Sequence, residues 1–126
     1  MRILLDTNAL LFAVAEPERL GARWRVDLLN TANEVYVSSV SAAEVAIKIV
    51  IGKLSGTIDL TAATLQRYGL VTLPFTLEHG NAMRTLPLLH RDPFDRMIIA
   101  QALVEDLAIM TTDRQFADYG VRLVPE

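Results

Sequence analysis

The 126-residue sequence predicts an α/β fold, three layers α/β/α around a central parallel sheet, on three observations. Short aliphatic and β-branched runs alternate with longer segments whose apolar residues recur at helical spacing, and strands separated by helices pair in parallel. At 52% hydrophobic, a chain of this length can bury a substantial core as a single domain, taken as residues 1–126. Acidic residues fall where strands end and helices begin, the edge at which open parallel sheets bind ligands.

The elements follow in order. Residues 2–5, RILL, read as a short buried strand, and Thr7 to Ala15 as the helix after it. LGARWRVDLLNTA (20–32) reads as a second helix because Leu20, Trp24 and Leu28 are spaced four apart. EVYVSS (34–39) is β-branched and aromatic, which suits a strand. Ser41 is then expected to open the helix AAEVAIKIVIG, which Gly52 ends. LTAATLQRYG (60–69) is a further helix, LVTLPF (70–75) a short strand, and TLEHGNAMRTL (76–86) a helix weakened by Gly80. HRDPFDRMIIAQALVED (90–106) is a long helix whose Met97, Ile98, Ile99, Ala100, Ala102, Leu103 and Val104 leave a narrow polar strip. AIMTT (108–112) is a strand, RQFADYG (114–120) a short helix and VRLV (121–124) a closing strand.

Composition narrows the function. Without cysteine there are no disulfides and no thiolate metal sites, which suits a reducing compartment. A net charge of -3 argues against a protein that coats nucleic acid, though not against a nucleic-acid enzyme that brings its own cations. Ten arginines accompany two lysines; arginine is the better phosphate fork, although arginine richness more often follows genome composition. MRILLDTNALLFAVA loosely imitates a secretory leader, but Asp6 and Asn8 interrupt it, and no apolar run is long enough to span a bilayer. A cytoplasmic protein with no membrane partner is expected.

Four acids carry the chemistry. Asp6 and Asp113 each follow a predicted strand, and Glu44 and Asp95 each sit in the first turn of a predicted helix. Asp95 lies one turn from Ile98 and Ile99 and two from Ala102, on the inward face, where an unpaired charge costs several kcal/mol at least, roughly. Each acid also has a plainer reading. Asp6 and Asp113 could cap the helices that follow them. Ser41-Ala-Ala-Glu44 has the form of a capping box, and Asp92-Pro93-Phe94-Asp95 that of a helix start. Ser41, Glu44 and Lys48 form one polar strip, in which Glu44 and Lys48 could be an i,i+4 surface pair. Taken singly, capping accounts for each acid. Four independent caps, however, have no reason to share one edge of a sheet, and the natural counterion of four carboxylates there is a hard divalent cation, Mg²⁺ or Mn²⁺.

LLDTNALL, VSSVSAAEVAIKIVIGKL, HRDPFDRMIIAQA and IMTTDRQF, in that order from near Met1 nearly to Glu126, resemble the four signature segments of PIN-domain ribonucleases, and among them the VapC-type toxins of prokaryotic toxin–antitoxin pairs. The resemblance implies a PIN-like fold, metal-binding acids at Asp6, Glu44, Asp95 and Asp113, and supporting polar groups at Asn8 and Thr112. It implies Mg²⁺-dependent (or Mn²⁺-dependent) hydrolysis of RNA to a 5′-phosphate, a cognate antitoxin and a homodimer. Many relatives carry Trp where this chain has Ala43, which touches packing behind the site and removes no ligand. Arg91, Arg96 and Arg114 flank the acids and could meet phosphates, although solvation accounts for each singly; His79 and His90 are given no catalytic part. Trp24 with Leu20 and Leu28 is either a groove wall for the antitoxin or part of the core. Two other enzyme classes lack a letter: a haloacid-dehalogenase-type phosphotransferase needs Asp where Asn8 stands, and a receiver domain needs a lysine after its last strand. The competing non-enzymatic reading is a protein- or RNA-binding module whose acids only cap helices.

Overall fold

The structure, a computed structural model, describes residues 1–89 and 91–126; His90 lies outside the described residues. Among these, four strands and six α-helices follow in the order β1 (Arg2–Leu5), α1 (Thr7–Ala15), α2 (Ala22–Leu29), β2 (Glu34–Ser38), α3 (Ser39–Val50), α4 (Ala62–Arg67), β3 (Val71–Leu73), α5 (Leu77–Ala82), α6 (Pro93–Glu105) and β4 (Ala108–Met110). Short 3-10 helices occupy Pro17–Arg19, Met83–Thr85 and Arg114–Tyr119. The strands form one parallel sheet ordered β3-β2-β1-β4.

Its register places Ile3 beside Val35 and Ala108, and Leu5 beside Val37 and Met110. Because successive side chains on a strand point to opposite faces, these six load one face and Leu4 and Ile109 the other. The first face packs against Leu10 of α1, Trp24 of α2 and Leu65 of α4. The second packs against Val40 of α3 and Ile98, Ile99 and Ala102 of α6. A sheet covered on both sides needs apolar residues at every position, which is why RILL and AIM read as continuous runs rather than alternating ones. The expected three-layer α/β/α architecture is present.

Several local expectations are corrected. Ser38, not Ser41, caps α3: its hydroxyl accepts the Val40 N–H at 3.0 Å. Ser38 still pairs with Leu73 of β3, so the chain passes from strand to helix without a loop. Ser41 and Glu44 are therefore interior helical residues, Glu44 in the second turn, and the capping box proposed for them does not form. VRLV is not a strand but a single parallel bridge from Leu123 to Ile109, with the Ile109 N–H on Arg122 O and the Val124 N–H on Ile109 O, both at 2.8 Å. Gly120, at φ 83°, turns the chain just before it, and Pro125 has no N–H with which to extend it. Trp24 belongs to the core, its Nε1–H donating to Pro125 O at 2.9 Å. Leu20 and Leu28 do line an apolar cleft of about 180 Å³ with Leu29, Tyr68 and Leu70. Among the described residues no helix is long and apolar enough to cross a membrane.

Candidate active site

In the order β3-β2-β1-β4 the chain winds one way from β1 to β2 and the other way to β4, so a crevice opens between the carboxyl ends of β1 and β4. Asp6 stands at that point. Its backbone N–H donates to Met110 O at 3.1 Å, tying the two strand ends together. One carboxylate oxygen accepts the Ala9 N–H at 2.8 Å and so caps α1. The side chain is buried, with 6% of the residue exposed. Burial pushes its pKa above the ordinary value; hydrogen bonds from Thr111 and Ala9 oppose the rise, and the charges of Glu44 and Asp113 add to it.

Glu44 projects from α3 and is 4% exposed. The Thr7 hydroxyl donates to its Oε1 at 2.6 Å, and the Lys48 ammonium to its Oε2 at 2.7 Å. Thr7 has a single hydroxyl proton and spends it on the carboxylate, so in its 3.0 Å contact with Ser41 the Ser41 hydroxyl is the donor. This relay from Ser41 through Thr7 to Glu44 fastens α3 to the start of α1. Lys48, one turn beyond Glu44, has its pKa raised chiefly by the Glu44 hydrogen bond, with Asp92 and Asp95 contributing through their charges. Glu44 and Lys48 thus do form the i,i+4 pair, with the carboxylate buried.

Asp95 is the third residue of α6 and half-buried, at the mouth of the face on which Ile98, Ile99 and Ala102 are fully buried. The cap of α6 is Asp92, which accepts the Phe94 N–H at 2.8 Å and the Asp95 N–H at 3.4 Å. Asp113, also half-buried, caps the 3-10 helix Arg114–Tyr119 by accepting the Gln115 N–H at 3.0 Å. Its own N–H donates to the Thr111 hydroxyl at 3.0 Å.

Asp6 thus feels the charges of both Glu44 and Asp113, and Lys48 those of Glu44, Asp92 and Asp95. Asn8 and Thr112 are exposed, whereas the adjacent Thr7 and Thr111 are buried and bonded to the acids. Arg96 is half-buried with Nη1 on Pro87 O at 2.6 Å, and Arg91 and Arg114 are exposed. His79 is structural. Its Nδ1 accepts the Thr76 N–H at 2.9 Å, which leaves the ring proton on Nε2, facing Glu105 at 3.0 Å.

Among the described residues no three His, Asp or Glu side chains are drawn together into a ready-made metal cage. The donor chemistry nonetheless fits a hard divalent cation. Every candidate is a carboxylate oxygen, and Mg²⁺ is usually held by one or two carboxylates with water and substrate phosphate completing its shell.

The sequence matches the PIN domain family over residues 3–121. The chain belongs to the PIN-domain family. This PIN domain is also similar in fold to solved structures. A chain of VapBC2 from Rickettsia felis, bound to a DNA fragment from their promoter, aligns at a TM-score of 0.70 and 18% identity over 98% of both chains. A chain of FitAB bound to an IR36 DNA fragment aligns at 0.61 and 22% identity over 97% of this chain and 93% of that one. FitAcB from Neisseria gonorrhoeae gives 0.61 and 22% over 98% and 96%. No curated protein sequence matches this chain significantly.

Proposed function

We propose that this PIN domain is a metal-dependent endoribonuclease, hydrolysing RNA phosphodiesters to leave a 5′-phosphate. The observation that supports it most is Asp6: a buried carboxylate at the switch point of a parallel sheet, its pKa raised by burial and by two neighbouring acids. Perturbed acids in such a crevice are candidates for function.

Asp6, Asp95 and Asp113, with Glu44, are the residues that would hold Mg²⁺ or Mn²⁺. Such an ion neutralises a scissile phosphate and acidifies water at neutral pH. The chain's own part is arrangement. Asp6 gives one oxygen to the cap of α1 and also accepts a hydrogen bond from Thr111. Thr111 holds Asp6 and fixes the backbone of Asp113, so both acids are set by the end of β4. Glu44, oriented by Thr7, would either hold a second ion or accept a hydrogen bond from the attacking water. Stripped of any partner, the purified protein is expected to cut RNA with Mg²⁺ or Mn²⁺ and stop in chelator. Asp6→Asn and Asp95→Asn should each lose orders of magnitude, and full cleavage by either variant overturns the assignment.

The resemblance to VapC-type toxins supports the further reading that the protein works in the cytoplasm as the toxin of a toxin–antitoxin pair, as a homodimer, with a cognate antitoxin supplying a basic side chain to the acids. VapBC2 and FitAB, the assemblies to which the fold is similar, are themselves DNA-bound. Co-expression with the product of the adjacent gene tests this: a neighbour that binds without suppressing cleavage contradicts it. One observation favours a non-catalytic binding module instead, since Asp6 and Asp113 do cap helices. Such a module would ignore Mg²⁺ in calorimetry.

A further inference from the structure

Lys48 is the cation that meets the buried acid of this site. Its ammonium lies 2.7 Å from Glu44 Oε2, while the opposite oxygen of the same carboxylate is taken by Thr7 at 2.6 Å. Both Glu44 oxygens are thus engaged by the chain itself. Glu44 is almost fully buried, so the pair is poorly screened, unlike an ordinary surface i,i+4 pair. The lysine side chain is 36% exposed, so its ammonium can leave Glu44 without crossing the core. The charges of Asp92 and Asp95, at the start of α6, act on the same ammonium.

We propose that Lys48 is a positioning residue that competes with the divalent cation for Glu44: it holds the carboxylate in place while the site is empty and must release it when the ion binds there. The inference rests on the reading of the acids as a metal site. Its physical basis is the geometry at one oxygen. A cation seated about 2.1 Å from Glu44 Oε2 would face an ammonium 2.7 Å from the same atom, two positive charges in strong repulsion in a buried setting. Ion binding and the Lys48–Glu44 bond therefore compete at Oε2. The apparent dissociation constant is raised by the fraction of molecules in which the pair is closed; a pair closed about nine-tenths of the time weakens the ion about tenfold. The Thr7 bond to Oε1 is not subject to this competition, so Glu44 keeps its orientation during the exchange.

The test is Mn²⁺ binding to the intact protein, read by the loss of the free-ion electron paramagnetic resonance signal, with no RNA and no turnover. Lys48→Gln should bind Mn²⁺ about tenfold more tightly than wild type. Lys48→Arg should stay near wild type, because it keeps a cation against Glu44. Lys53→Gln removes the same charge from an exposed position outside the acid cluster and should change the affinity little. A purely structural lysine predicts the opposite for Lys48→Gln, namely unchanged or weaker binding, because loosening Glu44 cannot improve a site. Equal tightening in Lys48→Gln and Lys53→Gln assigns the effect to net charge and overturns the proposal. Unchanged or weaker binding in Lys48→Gln, with wild type binding and Asp6→Asn not, overturns the competition while the metal reading stands. Absence of binding in wild type and in Lys48→Gln alike overturns both. A Lys48→Gln that does not fold is replaced by Lys48→Met, which keeps the helical stem, with the same outcomes.

Discussion

Asp6 divides its carboxylate between two tasks: one oxygen caps α1, and the whole group sits buried among like charges. Its raised pKa means that the native state binds this proton more tightly than the unfolded chain does. Stability from this group therefore falls as pH rises from the ordinary value of 3.8 to the raised native value, and the deficit persists above it. Asn caps helices about as well as Asp, so Asp6→Asn removes the deficit and keeps the cap. In chelator at pH 7 it should melt above wild type, with the gap closing as pH falls below 3.8; a variant that melts lower at neutral pH contradicts the repelled, desolvated acid. Thr7 makes a second residue-scale prediction. Thr7→Val leaves Glu44 Oε1 buried without its donor, at a cost of about 1–3 kcal/mol, read as a lower denaturant midpoint, while Thr7→Ser retains most of the stability. The positions of Asp6 and Asp95, after a strand and in the first turn of a helix, were legible from the element pattern, whereas Glu44 lies a turn further into α3 than expected. Thr7 and Thr111 were not legible, since a hydroxyl beside an acid looks the same whether it points inward or, as with Thr112, outward.

At the scale of elements, α6 separates capping from chemistry by assigning them to different residues. Asp92 is the N-cap and accepts the first backbone N–H groups, and Asp95 follows as the third residue of the helix. Asp92→Ala should lower stability by about 0.5–2 kcal/mol and leave RNA cleavage largely intact. Asp95→Asn should do the reverse, holding its thermal midpoint in chelator and losing cleavage. If Asp92→Ala abolishes cleavage while Asp95→Asn cuts normally, the two roles are exchanged. Helix α1 was legible to the residue, because Asp6 stops the strand and caps the helix at once. The start of α3 was not. Ser38, Ser39 and Ser41 are all plausible caps by type, and the choice falls to Ser38 because β2 remains paired with β3 up to that residue. The closing VRLV had strand propensity, but four residues between a left-handed Gly120 and Pro125 leave room for one bridge.

For the whole molecule, the alternation of strand and helix was enough to read the three layers, and strand order was not, because it depends on which edge each crossover takes. That order sets β4 against β1, and so brings Asp113 near Asp6, although more than a hundred residues lie between them. The net charge of -3 gives no general attraction for RNA, so substrate affinity should depend strongly on the divalent cation and weakly on monovalent salt. A binding slope against NaCl as steep as that of a basic nucleic-acid binder would contradict this. The central claim is that the clustered acids cut RNA. It is tested most directly by expressing wild type and Asp95→Asn in bacteria and sequencing RNA 5′ ends. New 5′-phosphate ends are expected in cells with wild type and none above background with Asp95→Asn at equal protein level. The same ends with both proteins, or none with wild type freed of its partner, would contradict it.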